Sequence, residues 1–213
     1  MSALYPVLVK LEGEPCLVIG GGRVAERKVK SLLEAGARVR VISPRLTADL
    51  QALADAGVIE YRRGRYRPGD VEGAFLVISA TNDPAANRVV AADCRERRLL
   101  LNVVDDPENC TFFVPACVRR GDLTIAVSTG GQSPLLARKL REKLEREYGP
   151  LYGDYLALIG RIRHNIIRSV SDPVRKEQLL EALCAPEILD ALENGDYDRV
   201  KELVGSVDYG GGP

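Results

Sequence analysis

The stretch that most constrains the fold is Val18-Ile19-Gly20-Gly21-Gly22-Arg23-Val24-Ala25, where an apolar run breaks into three glycines and then resumes as a helix. Before it, Pro15-Cys16-Leu17-Val18-Ile19 has the short, continuously apolar pattern of a buried strand. After it, Ala25 to Ala35 places Val29, Leu32 and Leu33 on one face of a helix. A G-x-G-x-x-A spacing between two such elements is the turn of a dinucleotide-binding unit. Gly20 then permits the tight turn, Gly22 lets backbone N–H groups approach a pyrophosphate, and Ala25 keeps the helix close to the sheet. The helix beginning near Arg23 points its positive dipole end at the phosphates. A glycine turn with no ligand has the same three residues, so the flanking strand and helix carry the inference.

Gly36 ends that helix, and Ala37 to Ile42 forms a second strand closing on Ser43-Pro44, which completes β-α-β. At this strand end an NAD-binding unit usually carries Asp or Glu to grip the ribose hydroxyls, but here stands Ser43, followed by Pro44 and Arg45. Ser43 has a hydroxyl for the ribose and Arg45 a guanidinium for a 2′-phosphate, so the spacing leaves NAD and NADP both open. Arg45 fits a solvated loop equally well. Leu46 to Ala56 is an amphipathic helix capped by Thr47 or Ser43, and Val58 to Tyr61 a short strand; upstream, Tyr5 to Val9 reads as an edge segment. Phe75 to Ala80 is a fully apolar strand that delivers Thr81 and Asn82 into the crevice where open parallel sheets bind ligands. Pro84 opens the next helix, to Arg98, and Leu99 to Val104 is another buried strand ending in Asp105 and Asp106. Successive side chains point opposite ways, so one of these two carboxylates is expected to face the site. As turn formers ahead of Pro107 they would have no chemical role.

From Thr111 the pattern changes to two strands, through Val118 and Leu123 to Ser128, joined by the polar turn Arg119 to Asp122. The second strand runs into Thr129-Gly130-Gly131-Gln132-Ser133-Pro134 and then a helix, Leu135 to Tyr148, with Ser133 as N-cap and Leu136, Leu140 and Leu144 as its apolar stripe. Beyond Gly149-Pro150 the chain is helical: Leu151 to Ser169, Pro173 to Leu183, Pro186 to Leu192 and Tyr197 to Val204. Gly210 to Pro213 reads as a flexible tail. The expected organisation is an α/β class fold: a Rossmann-type parallel sheet in residues 1–113, a small α+β region in 114–148 and a helical domain in 149–209.

Lysine plus arginine and aspartate plus glutamate number 30 each, so the chain has no global bias toward nucleic acid. The basic run Arg62 to Arg67 is short and reads as a solvated loop. No apolar run reaches the length of a membrane span and the N-terminus lacks a signal-peptide pattern, so the expected location is the cytoplasm. Five scattered cysteines without C-x-x-C spacing form neither a disulfide framework nor a zinc site. The single histidine, His164, has the surroundings of a surface residue, and no metal site is expected.

Four segments together resemble a known family. They are Val18 to Lys28, Asn102-Val103-Val104-Asp105-Asp106, Phe112-Phe113-Val114-Pro115-Ala116, and Ala126 to Arg138 with its Ser-Thr-Gly-Gly-Gln-Ser-Pro core. The combination is similar to the siroheme synthase N-terminal module, the precorrin-2 dehydrogenase / sirohydrochlorin ferrochelatase family, over about Tyr5 to Tyr148. The resemblance implies NAD-dependent oxidation of precorrin-2 to sirohydrochlorin, and in some members insertion of Fe²⁺ into the product. It also implies a homodimer, with residues 114–148 as the dimerisation region. The family's essential aspartate falls on Asp105. Its cofactor contacts fall on Gly22, Arg23 and Val24, on Ser43, Pro44 and Arg45, and near Thr81 and Asn102, and its members use NAD. The substrate is a polycarboxylate, so Ser128, Thr129, Gly130, Gly131 and Ser133 at the second helix start, with Arg119, Arg120 and Arg138, are the expected partners. A uroporphyrinogen-III methyltransferase on a separate protein is the expected upstream enzyme. Two readings compete: a dehydrogenase without chelatase activity, and an NAD-sensing module, which would need neither Asp105 nor the second glycine loop.

Overall fold

Five short strands, β1 (Pro15–Ile19), β2 (Arg38–Ser43), β3 (Glu60–Arg63), β4 (Leu76–Ser79) and β5 (Leu100–Val103), pair in parallel in the order β3-β2-β1-β4-β5. The computed structural model describes residues 4–206 and divides the chain into two units, one ending at Val114 and one beginning at Pro115. In the first unit β1, β2, β4 and β5 contribute to both faces. Cys16 and Val18 of β1 pack with Val39, Val41, Leu76 and Ile78 beneath α1 (Arg23–Glu34) and α2 (Ala48–Asp55). Leu17 and Ile19 pack with Ile42, Val77, Leu101 and Val103 beneath α3 (Pro84–Glu96). Burial on both faces is why these strands read as continuous apolar runs. Val29 of α1 and Val90 of α3 are fully buried, each stabilising the layer by about 1.5–3 kcal/mol. The chain leaves β1 toward β2 on one side and returns to β4 on the other, so a crevice opens above the carboxyl ends of β1 and β4.

β3 lies two residues later than the sequence pattern suggests. The carbonyl of Ser43 accepts from both the Tyr61 hydroxyl (3.0 Å) and the Gly64 N–H (3.1 Å), which fixes the pairing of Arg40 with Glu60 and leaves Val58 exposed. Arg62 and Arg63 are therefore strand residues rather than loop. Arg62 pairs with Asp70, and Tyr66 donates to Asp93, so the basic run is tied down by carboxylates. The Tyr5 to Val9 segment joins no strand, and its apolar side chains are exposed.

In the second unit β6 (Ala116–Arg120) and β7 (Leu123–Val127) form an antiparallel hairpin, against which α4 (Pro134–Glu147) packs. Arg120 donates to the carbonyls of Tyr148 and Glu145, both at 2.9 Å, capping the C-terminal turn of α4. Only Ala137 of α4 is buried; of the expected stripe Leu136 and Leu140 are exposed and Leu144 is half-buried, and Leu135 beside them is exposed too. The remaining helices, α5 (Leu151–Ser169), α6 (Pro173–Ala182), α7 (Pro186–Glu193) and α8 (Tyr197–Gly205), enclose Tyr155, Ile166, Leu179, Ile188 and Val200. Tyr155 donates its hydroxyl to the Leu183 carbonyl. Residues 207–213, with the expected tail, lie outside the described residues. No helix among the described residues is long and apolar enough to cross a membrane.

Candidate active site

Three consecutive glycines build one wall of the crevice, each for a different reason. A Cβ on Gly20, whose φ is +121°, would sit 2.3 Å from the Ala80 carbonyl oxygen, so only glycine lets β1 pass β4 here. A Cβ on Gly21 would lie 2.0 Å from the Arg45 carbonyl and 2.7 Å from Ser43 Oγ, because the loop after β2 closes directly over it. Gly22 has open space where a side chain would be. It is also the N-cap of α1, with no side chain bonded to the first-turn N–H groups. That combination, free donors at a helix start with room in front of them, suits a phosphate.

These residues line a cavity of about 900 Å³ together with Arg23, Val24, Ser43, Ala80, Thr81, Asn82, Asn87, Arg88, Asp105, Asp106, Glu108 and Asn109. Gly20, Gly22, Arg23, Val24, Ser43, Thr81 and Asp105 are thus brought together as the sequence reading expects. Pro44, Arg45 and Asn102 are not among the lining residues. Ser43 is buried and its hydroxyl donates to the Arg45 carbonyl at 2.7 Å, so it shapes the loop. The buried amide of Asn102 donates to the Phe112 carbonyl at 3.1 Å, which anchors the chain leaving the sheet. Asn87 carries no motif, yet it accepts from Ser79 Oγ at 2.7 Å and donates to the Thr81 carbonyl at 3.3 Å, holding the end of β4.

Both carboxylates after β5 line the cavity, where the sequence reading expected one. They differ in what else they do. Asp106 accepts from Asn109 Nδ2 at 2.7 Å. Asp105 is exposed, and among the described residues nothing bonds its carboxylate. Its backbone is left-handed, with φ +61°, a conformation that costs a non-glycine residue about 1–2 kcal/mol. The flanking turn, a 3-10 segment at Pro107–Asn109, is why alternation along a strand fails to separate the pair. The cavity also holds two arginines, Arg23 and Arg88, with no ion-pair partner among the described residues.

The second glycine loop is closed on itself. Ser128 Oγ accepts from Gly130 N, Thr129 Oγ1 from Ser133 N, and Ser133 Oγ from Leu136 N as the side-chain cap of α4. Arg138 pairs with Glu142 at 2.8 Å, and Arg119 is also engaged. His164 is exposed, and among the described residues no three His, Cys, Asp or Glu side chains come together to hold a metal ion.

Comparison with known proteins matches residues 7–116 to an NAD(P)-binding family and residues 120–147 to the central region of sirohaem biosynthesis proteins. The chain is 38% identical over 192 residues to a siroheme synthase of Chromobacterium violaceum, covering 90% of this chain. It is 39% identical over 200 residues to one of Thioalkalivibrio sulfidiphilus, covering 94%. The chain spans 41% of the length of either relative. The solved structure of SirC, a precorrin-2 dehydrogenase, superposes with a TM-score of 0.77 at 28% identity, covering 93% of this chain and 100% of that one.

Proposed function

The chain belongs to the family of NAD(P)-binding siroheme-biosynthesis modules, and from that premise we propose that it is an NAD-dependent precorrin-2 dehydrogenase producing sirohydrochlorin. The observation that carries the reading is the unbonded Asp105 carboxylate in the same cavity as an uncapped helix start. The residues present fit a dinucleotide: Gly22 leaves the pyrophosphate room, α1 offers it free N–H groups, and Arg23 adds a cation. When bound, NAD supplies the hydride acceptor. Asp105 takes the proton that must leave the macrocycle with the hydride, and among the described residues no hydrogen bond or ion pair competes for its oxygens. Asp106, held by Asn109, fixes the turn from which Asp105 projects.

The substrate's carboxylates call for cations and hydroxyl donors. Arg119 and Arg138, with Ser128, Thr129, Gly130, Gly131 and Ser133, are the proposed partners in the second unit, and a uroporphyrinogen-III methyltransferase activity upstream supplies the substrate. The exposed Leu135, Leu136 and Leu140 support a homodimer through the α4 face, since that much apolar surface on one helix favours a partner. Leu136→Lys in sedimentation would then give a monomer. Fe²⁺ insertion is a second reading, favoured by the same free carboxylate, which is placed to take pyrrole N–H protons.

The test is anaerobic incubation with precorrin-2 and NAD⁺, following NADH and the sirohydrochlorin spectrum, then addition of Fe²⁺. The dehydrogenase reading requires both products in equal amounts, and absence of sirohydrochlorin overturns it. Metal insertion at the uncatalysed rate would confine the activity to oxidation.

A further inference from the structure

β5 is the last strand of the sheet, so the outward N–H and C=O groups of Leu101 and Val103 have no neighbouring strand to pair with. Buried backbone groups left in that state cost about 1–3 kcal/mol each. The returning segment 110–112 satisfies them. At Leu101 the partner is Thr111, whose N–H donates to the Leu101 carbonyl at 2.8 Å and whose Oγ1 accepts from the Leu101 N–H at 2.7 Å. At Val103 the partner is a thiol: Cys110 Sγ accepts from the Val103 N–H at 3.2 Å. The same S–H has two acceptors, the carbonyls of Val103 and Asp106, each at 3.3 Å. Asn102 Nδ2 also approaches the sulfur, at 3.6 Å.

One side chain therefore bridges the last residue of β5 and the residue after Asp105, across the two residues between them. Asp105 sits within that span in a left-handed conformation that its surroundings must hold in place. We propose that Cys110 is a positioning residue for the reaction, a clamp on the outer edge of β5 that holds the turn presenting Asp105 to the cavity. The proposal rests on the reading of Asp105 as proton acceptor. Burial pushes the Cys110 thiol above its ordinary pKa, so it keeps its proton at neutral pH and remains a donor to the turn. Serine reproduces both the donor and the acceptor with a shorter reach, whereas alanine leaves the Val103 N–H without a partner.

The experiment compares Cys110→Ala, Cys110→Ser and Thr111→Val by steady-state precorrin-2 oxidation, NAD⁺ titration and thermal unfolding. Thr111→Val removes the neighbouring edge partner away from the Asp105 turn, and so reports the cost of loosening β5 alone. We expect Cys110→Ala to lower kcat about tenfold with KM for precorrin-2 and Kd for NAD⁺ within about twofold, and Cys110→Ser to recover to within about threefold of the parent. Thr111→Val should lower the unfolding temperature while kcat stays within about twofold. Parental kcat in Cys110→Ala, an equal kcat loss in Thr111→Val, or a serine variant as impaired as alanine would overturn the clamp. If Cys110→Ala does not fold, the serine and Thr111→Val comparison decides alone: a kcat loss in the serine variant larger than that in Thr111→Val supports positioning, and any other result, including parental kcat in both, refutes it. Should Asp105→Asn keep full turnover, the reading beneath the proposal has failed instead.

Discussion

The molecule contains two strand–glycine–helix turns, and they have opposite fates. At Gly20 to Gly22 the first two glycines are forced by close backbone approaches, the following helix has no side-chain cap, and the turn lines a cavity. At Thr129 to Gly131 the glycines have φ values of +60° and +84°, and a Cβ on either would meet nothing within 4 Å. There Ser128, Thr129 and Ser133 consume the loop's own donors. The first turn keeps its N–H groups open and so is equipped for an anion. The second has used most of them in stabilising its helix. The glycines alone do not separate these cases; the residue before the helix does, a serine cap at Ser133 against the bare Gly22.

Substitution breaks the comparison most sharply at the glycines themselves. Gly20→Ala should cost more than about 3 kcal/mol in thermal or urea unfolding, since φ and the Ala80 carbonyl both exclude a methyl. Gly130→Ala should cost only about 1–2 kcal/mol, the left-handed penalty without a clash. Equal losses would mean that the close approach at Gly20 is not what selects glycine there. A second pair separates stability from binding. Gly22→Asp gives α1 the cap it lacks and should raise stability by about 0.5 kcal/mol, yet weaken NAD⁺ binding at least about a hundredfold by setting a carboxylate against the pyrophosphate. Ser133→Ala should do the reverse, lowering stability by about 1 kcal/mol with NAD⁺ affinity unchanged. Calorimetry of both variants checks the crossover.

The smallest effect concerns the thiols, buried at Cys16 and Cys94 in the first unit and exposed at Cys184 in the second. Burial pushes the thiols of Cys16 and Cys94 in the first unit up to about 11 from an ordinary value of 9.0. The folded state then holds these protons more tightly than the unfolded chain does. Their contribution is complete below pH 9 and is lost as pH rises toward 11. The urea midpoint should fall across that window, with a shallower slope in Cys16→Ala. In the second unit Cys184 is exposed, and a thiol reagent at pH 8 should label it well before either buried thiol.

Much of the first unit is legible because four of its five strands, β1, β2, β4 and β5, are buried on both faces and its helices start at glycine, threonine or proline. Val18 to Ala25, the strand ending at Thr81 and the Asp105 turn stand where their patterns put them. β3 was misplaced because its register is set by hydrogen bonds to the Ser43 carbonyl, which leave no apolar period in Glu60 to Arg63. The roles of Gly21 and Asn87 are not legible for a related reason: each serves a tertiary neighbour, the Arg45 loop or the end of β4, that is distant in sequence. For α4, periodicity reveals the apolar face of Leu136, Leu140 and Leu144 without saying what covers it.

The central claim is that an unbonded carboxylate after β5 takes the proton lost in precorrin-2 oxidation. Single-turnover formation of NADH and sirohydrochlorin by the parent and by Asp105→Asn, each with NAD⁺ affinity measured alongside, tests it most directly. Asparagine tolerates the left-handed backbone of this position, so the turn should survive the change. The account predicts a rate at least about a hundredfold lower in Asp105→Asn with NAD⁺ binding retained; a parental rate would contradict it.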